Sequence, residues 1–347
     1  MLSLRLYGPN DIRLDDIPVP VINSEEILLK VDAAAVCGTD VRMWQNGYAG
    51  VDEQHPRVLG HEFGGTIVQA GKDVKFYKEG MKVALAPNIG CGICDRCVAG
   101  NPHLCDEYRA FGINMDGAFA QFVKVPKEAI TYGNLMVMPD GVTPEEAAVN
   151  EPLSCAYNGS LKCSIKPGEY VLIVGAGPIG VMHAMLAKMA GAAKVMMNDL
   201  SASRLKECSD ILSGIVTYCG DDLAGFVAKE TKGRGLDVAI TACPSPQAQA
   251  AMLPLMNYGG RVNFFGGIPA SKQPIQIDTN FVHYKELYLT GSTRASVAQF
   301  RQTLEFVAAG LVDIKSIITS HFDISDILQA FDYARDAKGL KNVITFK

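Results

Sequence analysis

The sequence predicts an α/β protein in two parts, a β-rich and loop-rich part and a doubly wound parallel sheet. Three observations carry that prediction. The chain has 347 residues, enough for two domains at roughly 150 residues each. Residues 1–150 hold short β-prone runs punctuated by Gly and Pro. After Lys166-Pro167-Gly168 strands alternate with helices, which implies a parallel sheet covered on both faces.

In the first part, Glu26–Val31 and Thr66–Gln69 read as strands, set off by turns such as Tyr7-Gly8-Pro9 and Ile17-Pro18-Val19-Pro20. In the second, the apolar runs Tyr170–Val174, Val195–Asn198, Val238–Thr241, Val262–Phe265 and Leu287–Thr290 read as strands. Helical patterns cover Ile179–Ala190 and Gln247–Met256. Beyond Gly291, amphipathic helices over Val297–Ala309 and Ser325–Ala334 precede a last strand, Asn342–Phe346. Between Val171 and Met197 the only ionisable side chains are His183, Lys188 and Lys194, a stretch that hydropathy alone would assign to a membrane. Gly175, Gly177, Pro178 and Gly180 break it into a strand and a helix. No repeat, charge run or low-complexity tract stands out.

Hydrophobic residues make up 48% and charged residues 20% of the chain, too apolar for a disordered protein. Lys plus Arg is 32 against 37 for Asp plus Glu, a net charge of −5, so a broad basic footprint for nucleic acid is not expected. The opening Met1–Asp11 lacks a long apolar signal region. The expected compartment is therefore the reducing cytosol, where clustered cysteines read as metal ligands before disulfides.

Four of the ten cysteines crowd together as C-x2-C-x2-C-x7-C: Cys91, Cys94, Cys97 and Cys105. Three ligands on a short loop and a fourth close behind suit a tetrahedral structural zinc. Iron–sulfur ligation and redox cysteines are the alternatives. A closed four-sulfur site leaves no position for substrate, so this metal is not the catalytic one.

Gly175-Ala176-Gly177-Pro178-Ile179-Gly180 follows a strand and opens a helix. The glycines let backbone N–H groups approach a pyrophosphate at a helix N-terminus. Asp199 ends the next strand, where a carboxylate accepts from the ribose hydroxyls of NAD. Arg204 is the opposing signal, since an arginine there can hold the 2′-phosphate of NADP. NAD is the expected cofactor. A second constellation comprises Cys37-Gly38-Thr39-Asp40, Gly60-His61-Glu62 and Asn150-Glu151-Pro152. A thiolate, an imidazole and a carboxylate brought together would hold zinc and leave an open position.

Over essentially its full length the chain resembles the zinc-dependent medium-chain dehydrogenase/reductase family. The resemblance rests on Tyr7–Leu14, Cys37–Asp40, Gly60–Glu62, the four-cysteine segment, Asp116–Ala120, Gly175–Gly180, Phe322-Asp323-Ile324 and Ala330-Phe331. Glu151-Pro152-Leu153-Ser154 and Asn198–Leu205 are most similar to its sorbitol (polyol) dehydrogenase branch. The resemblance implies a GroES-like catalytic domain over residues 1–152 and 293–347, and a Rossmann domain binding NAD over 153–292. It implies two zinc ions, one catalytic and one structural, and an active site in the cleft between domains. Cys37, His61, Glu62 and Glu151 are the implied catalytic metal site, and Thr39 begins the proton relay. Gly175, Gly177, Pro178, Ile179, Gly180, Asp199, Arg204 and Gly267 are the implied NAD contacts. Thr39, Phe122, Glu151 and Arg294 match the polyol pocket. Relatives are dimers or tetramers, and a cytoplasmic homotetramer acting on a small alcohol, with no nucleic-acid or membrane partner, is the expectation.

The chain departs from the family at several positions. Arg42 replaces a relay histidine, Thr293-Arg294-Ala295 replaces Phe-Arg-Tyr, Met43 replaces a tyrosine, and Met81 replaces an aspartate in a turn. The competing readings are a threonine-type or phosphorylated-polyol dehydrogenase of the same fold, and a non-catalytic nucleotide-binding protein.

Overall fold

The fold is that of a computed structural model, which describes residues 1–268 and 274–346. The chain divides into two compact units, 1–154 with 294–310 and 314–347, and 155–293 with 311–313. In the first unit β1 (Leu2–Gly8) and β2 (Asp11–Asp16) form a hairpin. Then follow β3 (Ile27–Ala35), α1 (Gly38–Asn46), β4 (Arg57–Val58), β5 (Glu62–Ala70) and β6 (Lys82–Leu85). The cysteine segment lies among β7 (Asn88–Ile89), α2 (Asp95–Val98) and β8 (Arg109–Ala110). β9 (Phe122–Val125), α3 (Lys127–Thr131), β10 (Leu135–Val137) and the first half of α4 (Pro144–Cys163) complete the run; from Cys155 onward α4 belongs to the second unit.

Helix α4 is an element that the reading of residues 1–150 as rich in strand and loop did not single out. Its start is a capping box: Glu146 N–H donates to Thr143 Oγ1 at 3.2 Å, and Thr143 N–H to Glu146 Oε2 at 2.9 Å. Pro144 suits the first helical position, where its missing N–H costs nothing. Pro152 lies inside the helix and denies the Ala148 carbonyl its usual donor.

The second unit is a six-stranded, all-parallel sheet. In chain order it holds β11 (Tyr170–Val174), α5 (Pro178–Met189), β12 (Lys194–Asn198), α6 (Ala202–Ile211), β13 (Ile215–Tyr218) and α7 (Leu223–Glu230). β14 (Leu236–Thr241), α8 (Pro246–Ala250), α9 (Met252–Leu255), β15 (Met256–Phe264), α10 (Thr279–Tyr284) and β16 (Tyr288–Gly291) follow. The strand order is β13-β12-β11-β14-β15-β16, so the order reverses beside β11. That is where open α/β sheets bind ligands. The expected helix Gln247–Met256 is two short ones, because Pro254 cannot donate to the Ala250 carbonyl. The long apolar stretch is β11, a turn, α5 and β12; among the described residues no helix is long and apolar enough to cross a membrane.

His183 on α5 is fully buried, with Nδ1 3.2 Å from Ser160 Oγ and its ring edge-on to Phe265 at 4.8 Å. Burial pushes its pKa down from 6.5 to about 3. The unfolded chain therefore takes up a proton before the folded one as pH falls. Stability is lost from the unfolded value downward, by about 2 kcal/mol between pH 7 and pH 5 at 1.36 kcal/mol per unit. Thermal unfolding over that range should show a shallower pH dependence in His183→Gln than in the wild type. Identical slopes would refute the effect.

The chain then returns to the first unit with α11 (Val297–Ala308), β17 (Ile318–Asp323), α12 (Ile327–Arg335) and β18 (Lys341–Thr345). β3 is buried nearly throughout and paired on both edges, hence its continuous apolar character. β5 runs along one edge; on the other, β9 pairs Ile27–Lys30 and β18 pairs Ala33–Ala35. Phe63 and Phe119 lie beneath, edge-on to Phe111 at 5.5 Å and to Phe331 at 5.7 Å. The starts of β5 and β18 thus flank the end of β3.

Candidate metal and cofactor sites

Sheet register assembles the first site. Ala35, the last residue of β3, faces Glu62 on β5 and Val343 on β18. The chain leaves β3 through Val36, whose N–H donates to the Asn342 carbonyl at 3.0 Å. Cys37 follows as the N-cap of α1. His61 is placed by Gly60, which has a φ of +93° and whose Cβ would lie 2.8 Å from the Phe119 backbone nitrogen. Only glycine fits there.

One ligand atom each from Cys37, His61 and Glu62 lies within 4.8 Å of the others. Asp40 is fully buried; its Oδ2 accepts from the Cys37 N–H at 2.9 Å and its Oδ1 lies 3.4 Å from His61 Nδ1. That contact leaves Nε2 of the imidazole for a metal, since metal-bound histidines commonly have a carboxylate on the other ring nitrogen. Burial opposes a charge on His61, but Asp40 and Cys37 outweigh it and hold the imidazole well above its ordinary pKa. Glu62 is fully buried, and Lys341 Nζ donates to its Oε2. Its Oε1 is buried with no hydrogen-bond partner. An orphaned carboxylate oxygen beside a thiol and an imidazole fits a divalent cation that takes nitrogen, sulfur and oxygen donors, as zinc does. Glu151, on α4, is 7% exposed and stands outside this trio.

The four cysteines form the second site. Their sulfurs lie within 4.8 Å of one another, with Cys91–Cys97 at 4.0 Å and Cys94–Cys105 at 3.8 Å. A tetrahedron of sulfurs at 2.3 Å from its centre has an edge of about 3.8 Å. A disulfide needs about 2.05 Å, so these are four separate thiols. Backbone N–H groups of Ile93 and Cys94 lower the Cys91 pKa to about 7, while burial pushes Cys97 up to about 12. A central cation would favour the thiolate in both.

In the second unit, Gly175 has a φ of +114°, and a Cβ on Gly180 would sit 1.9 Å from the Gly175 carbonyl oxygen. A Cβ on Gly177 or Gly267 would meet nothing within 4 Å, so their backbones are open to a ligand. Pro178 opens α5 and Ile179 follows it, half-buried. Asp199 accepts from Ala176 N–H at 2.7 Å and Ser201 N–H at 2.8 Å. Its carboxylate is thereby fixed between the glycine turn and the start of α6, where Arg204 lies.

A family profile described as "Alcohol dehydrogenase GroES-like domain" matches residues 23–134, and one described as "Zinc-binding dehydrogenase" matches residues 178–309. An L-threonine 3-dehydrogenase from Rhizobium etli is 34% identical over 334 residues, covering 95% of this chain and 94% of the relative. The chain belongs to the zinc-dependent medium-chain dehydrogenase family. It is an oxidoreductase of the kind that acts on CH–OH groups, with a GroES-like and a Rossmann part. A sorbitol dehydrogenase from Bacillus subtilis is 30% identical over 341 residues, covering 97% of this dehydrogenase and 94% of the relative. A zinc-binding dehydrogenase from Sinorhizobium meliloti, solved bound to NADP, superposes with a TM-score of 0.87 at 28% identity, covering 99% of this chain and 98% of that one.

Two residues matched to the polyol pocket have structural contacts of their own. Phe122 on β9 pairs with Lys30, five residues along β3 from Ala35, which is roughly 16 Å from the Glu62 register at 3.3 Å per residue. Arg294, at a φ of +54°, stacks over Tyr108 at 3.8 Å and donates to the His103 carbonyl at 2.9 Å. Its guanidinium is tied to the cysteine segment. Conversely, Asp40 and Lys341 carry parts of the site that sequence reasoning left without a role. The signal for Lys341 was a charge two residues before the apolar pair Val343-Ile344; the expected strand began one residue later, at Asn342.

Proposed function

We propose that this dehydrogenase oxidises a secondary alcohol with NAD, using Cys37, His61 and Glu62 to hold a catalytic zinc and the four cysteines to hold a structural one. The observation that carries the reading is the buried, unpartnered Glu62 Oε1 beside Cys37 and His61. A zinc ion there supplies Lewis acidity toward an alcohol oxygen, and a nicotinamide supplies the hydride acceptor.

The chain's own residues handle the proton. Thr39 Oγ1 accepts from Arg42 Nη2 at 2.8 Å. The hydroxyl keeps a second lone pair and its own hydrogen. It can take the substrate proton and pass on its own. Arg42 cannot continue the relay as a histidine would, because a guanidinium does not deprotonate in proteins; it orients Thr39 instead. Glu151 supplies a further buried carboxylate near the trio, and its charge acts on Lys341.

Asp199 favours NAD because a fixed carboxylate repels a 2′-phosphate. Asp199→Gly should lower kcat/KM for NAD by about 10- to 100-fold, the worth of losing charged hydrogen bonds of about 1.5–3 kcal/mol, and narrow the gap to NADP. Steady-state kinetics with both cofactors checks this; an unchanged ratio would return the choice to Arg204.

For the alcohol, Glu151-Pro152-Leu153-Ser154 favours a polyol, while the likeness to threonine dehydrogenases favours an amino alcohol. An NAD-linked screen over sugar alcohols, their phosphates and threonine, with zinc counted per chain, tests both. Two zincs and turnover of a polyol support the first reading. One zinc and no turnover would leave a nucleotide-binding protein.

A further inference from the structure

Lys341 is the one lysine among the described residues whose ammonium pairs with a carboxylate of the trio. It is 3% exposed and begins β18. Its Nζ donates to the Val36 carbonyl at 3.0 Å and to Glu62 Oε2. The Val36 contact anchors the ammonium to the end of β3, next to Cys37. The two oxygens of Glu62 therefore differ. Oε2 is held by a buried cation, and Oε1 is buried with no partner.

We propose that Lys341 is a positioning residue that restricts Glu62 to one-oxygen coordination and thereby keeps a position on the catalytic metal open. This rests on the reading that Cys37, His61 and Glu62 hold zinc. Those three residues, each giving one atom, leave the fourth tetrahedral position for substrate. A carboxylate can also bind through both oxygens. Nothing in the covalent structure of Glu62 prevents that, and it would fill the open position. The ammonium on Oε2 does prevent it. Outer-shell partners usually strengthen a metal site by raising ligand basicity. A cation on a ligand's second oxygen works the other way, drawing charge from the ligand and repelling the metal. Affinity is given up in return for an open position.

The test uses the full-length protein with cobalt in the catalytic site and zinc retained by the four cysteines. In Lys341→Met, Glu62 should bind through both oxygens. The visible cobalt bands should weaken several-fold, as four-coordinate geometry gives way to five. The metal dissociation constant, measured by chelator competition, should fall about tenfold, the lower end of what changing a ligand's hydrogen-bond partner does. A wild-type spectrum, or weaker metal binding, in this variant would overturn the proposal. If Lys341→Met does not fold, Lys341→Arg decides the matter. A guanidinium fork takes both carboxylate oxygens, so it should withdraw Oε1 and weaken metal binding at least about tenfold; unchanged affinity and spectrum would overturn the proposal. His61→Ala separates the two levels. If it binds as much cobalt as wild type, the site reading itself fails. If it loses cobalt while the Lys341 variants behave as wild type, only the role of Lys341 falls.

Discussion

Replacing His61 by alanine is expected to lower turnover at least about a thousandfold, roughly 4 kcal/mol at 1.36 kcal/mol per decade. The zinc count should fall from two per chain to one. His61 brings the only imidazole to the trio, and its removal leaves a thiol and a carboxylate that Lys341 already engages. Two donors do not hold zinc against a chelator when structural and catalytic sites use at least three. NADH binding, followed by fluorescence titration, should stay within about twofold, because the alanine adds no charge or bulk and the glycine turn and Asp199 belong to the other compact unit. Cys37→Ala should behave the same way. Near-normal turnover in a His61→Ala protein with its metal content verified would sink the assignment.

The parallel sheet was legible because its signals are local. Tyr170–Val174 is apolar on both faces, ends in the glycine turn, and forms a strand with those bounds. Both candidate metal sites were legible as residue types, since sulfur and imidazole at short spacing suit few other purposes. Their convergence was not legible. Cys37, Glu62 and Lys341 meet only because β5 and β18 flank the end of β3. Glu62 and Lys341 lie 279 residues apart in the sequence, and no local pattern encodes their contact. Motif position indicates which strand a residue occupies, not how far along the strand its neighbours lie. Helix α4 had a readable start in Thr143-Pro144-Glu145-Glu146, but Pro152 and the alanine-rich run before it hid the amphipathic contrast. Arg294 matched a pocket position by sequence; its stacking over Tyr108 joins residues far apart in the chain, which no local pattern encodes.

Cys94→Ser is expected to reach stability and leave chemistry alone. The segment from Cys91 to Cys105 has almost no apolar core. Ile93 is 85% exposed and Val98 76% exposed, and α2 is one turn long with no buried residue. What can fold it is a cation shared by four sulfurs whose 3.8 and 4.0 Å separations match the edge of a zinc–sulfur tetrahedron, about 3.8 Å. A serine oxygen is a poor thiolate substitute. Losing a quarter of the ligand set should cost on the order of 2–3 kcal/mol and lower the melting temperature by about 5–10 °C. The loss should extend to Arg294, since the His103 carbonyl and Tyr108 ring that hold it belong to this segment and its flank. The trio of Cys37, His61 and Glu62 draws no residue from the segment, so turnover of the folded variant at 25 °C should stay within about twofold, as for independent sites. Calorimetry with metal analysis decides between the two possible jobs of this metal. A lower melting temperature with intact turnover assigns the segment to structure. A wild-type melting temperature with both zincs retained would remove the four sulfurs from the account of stability.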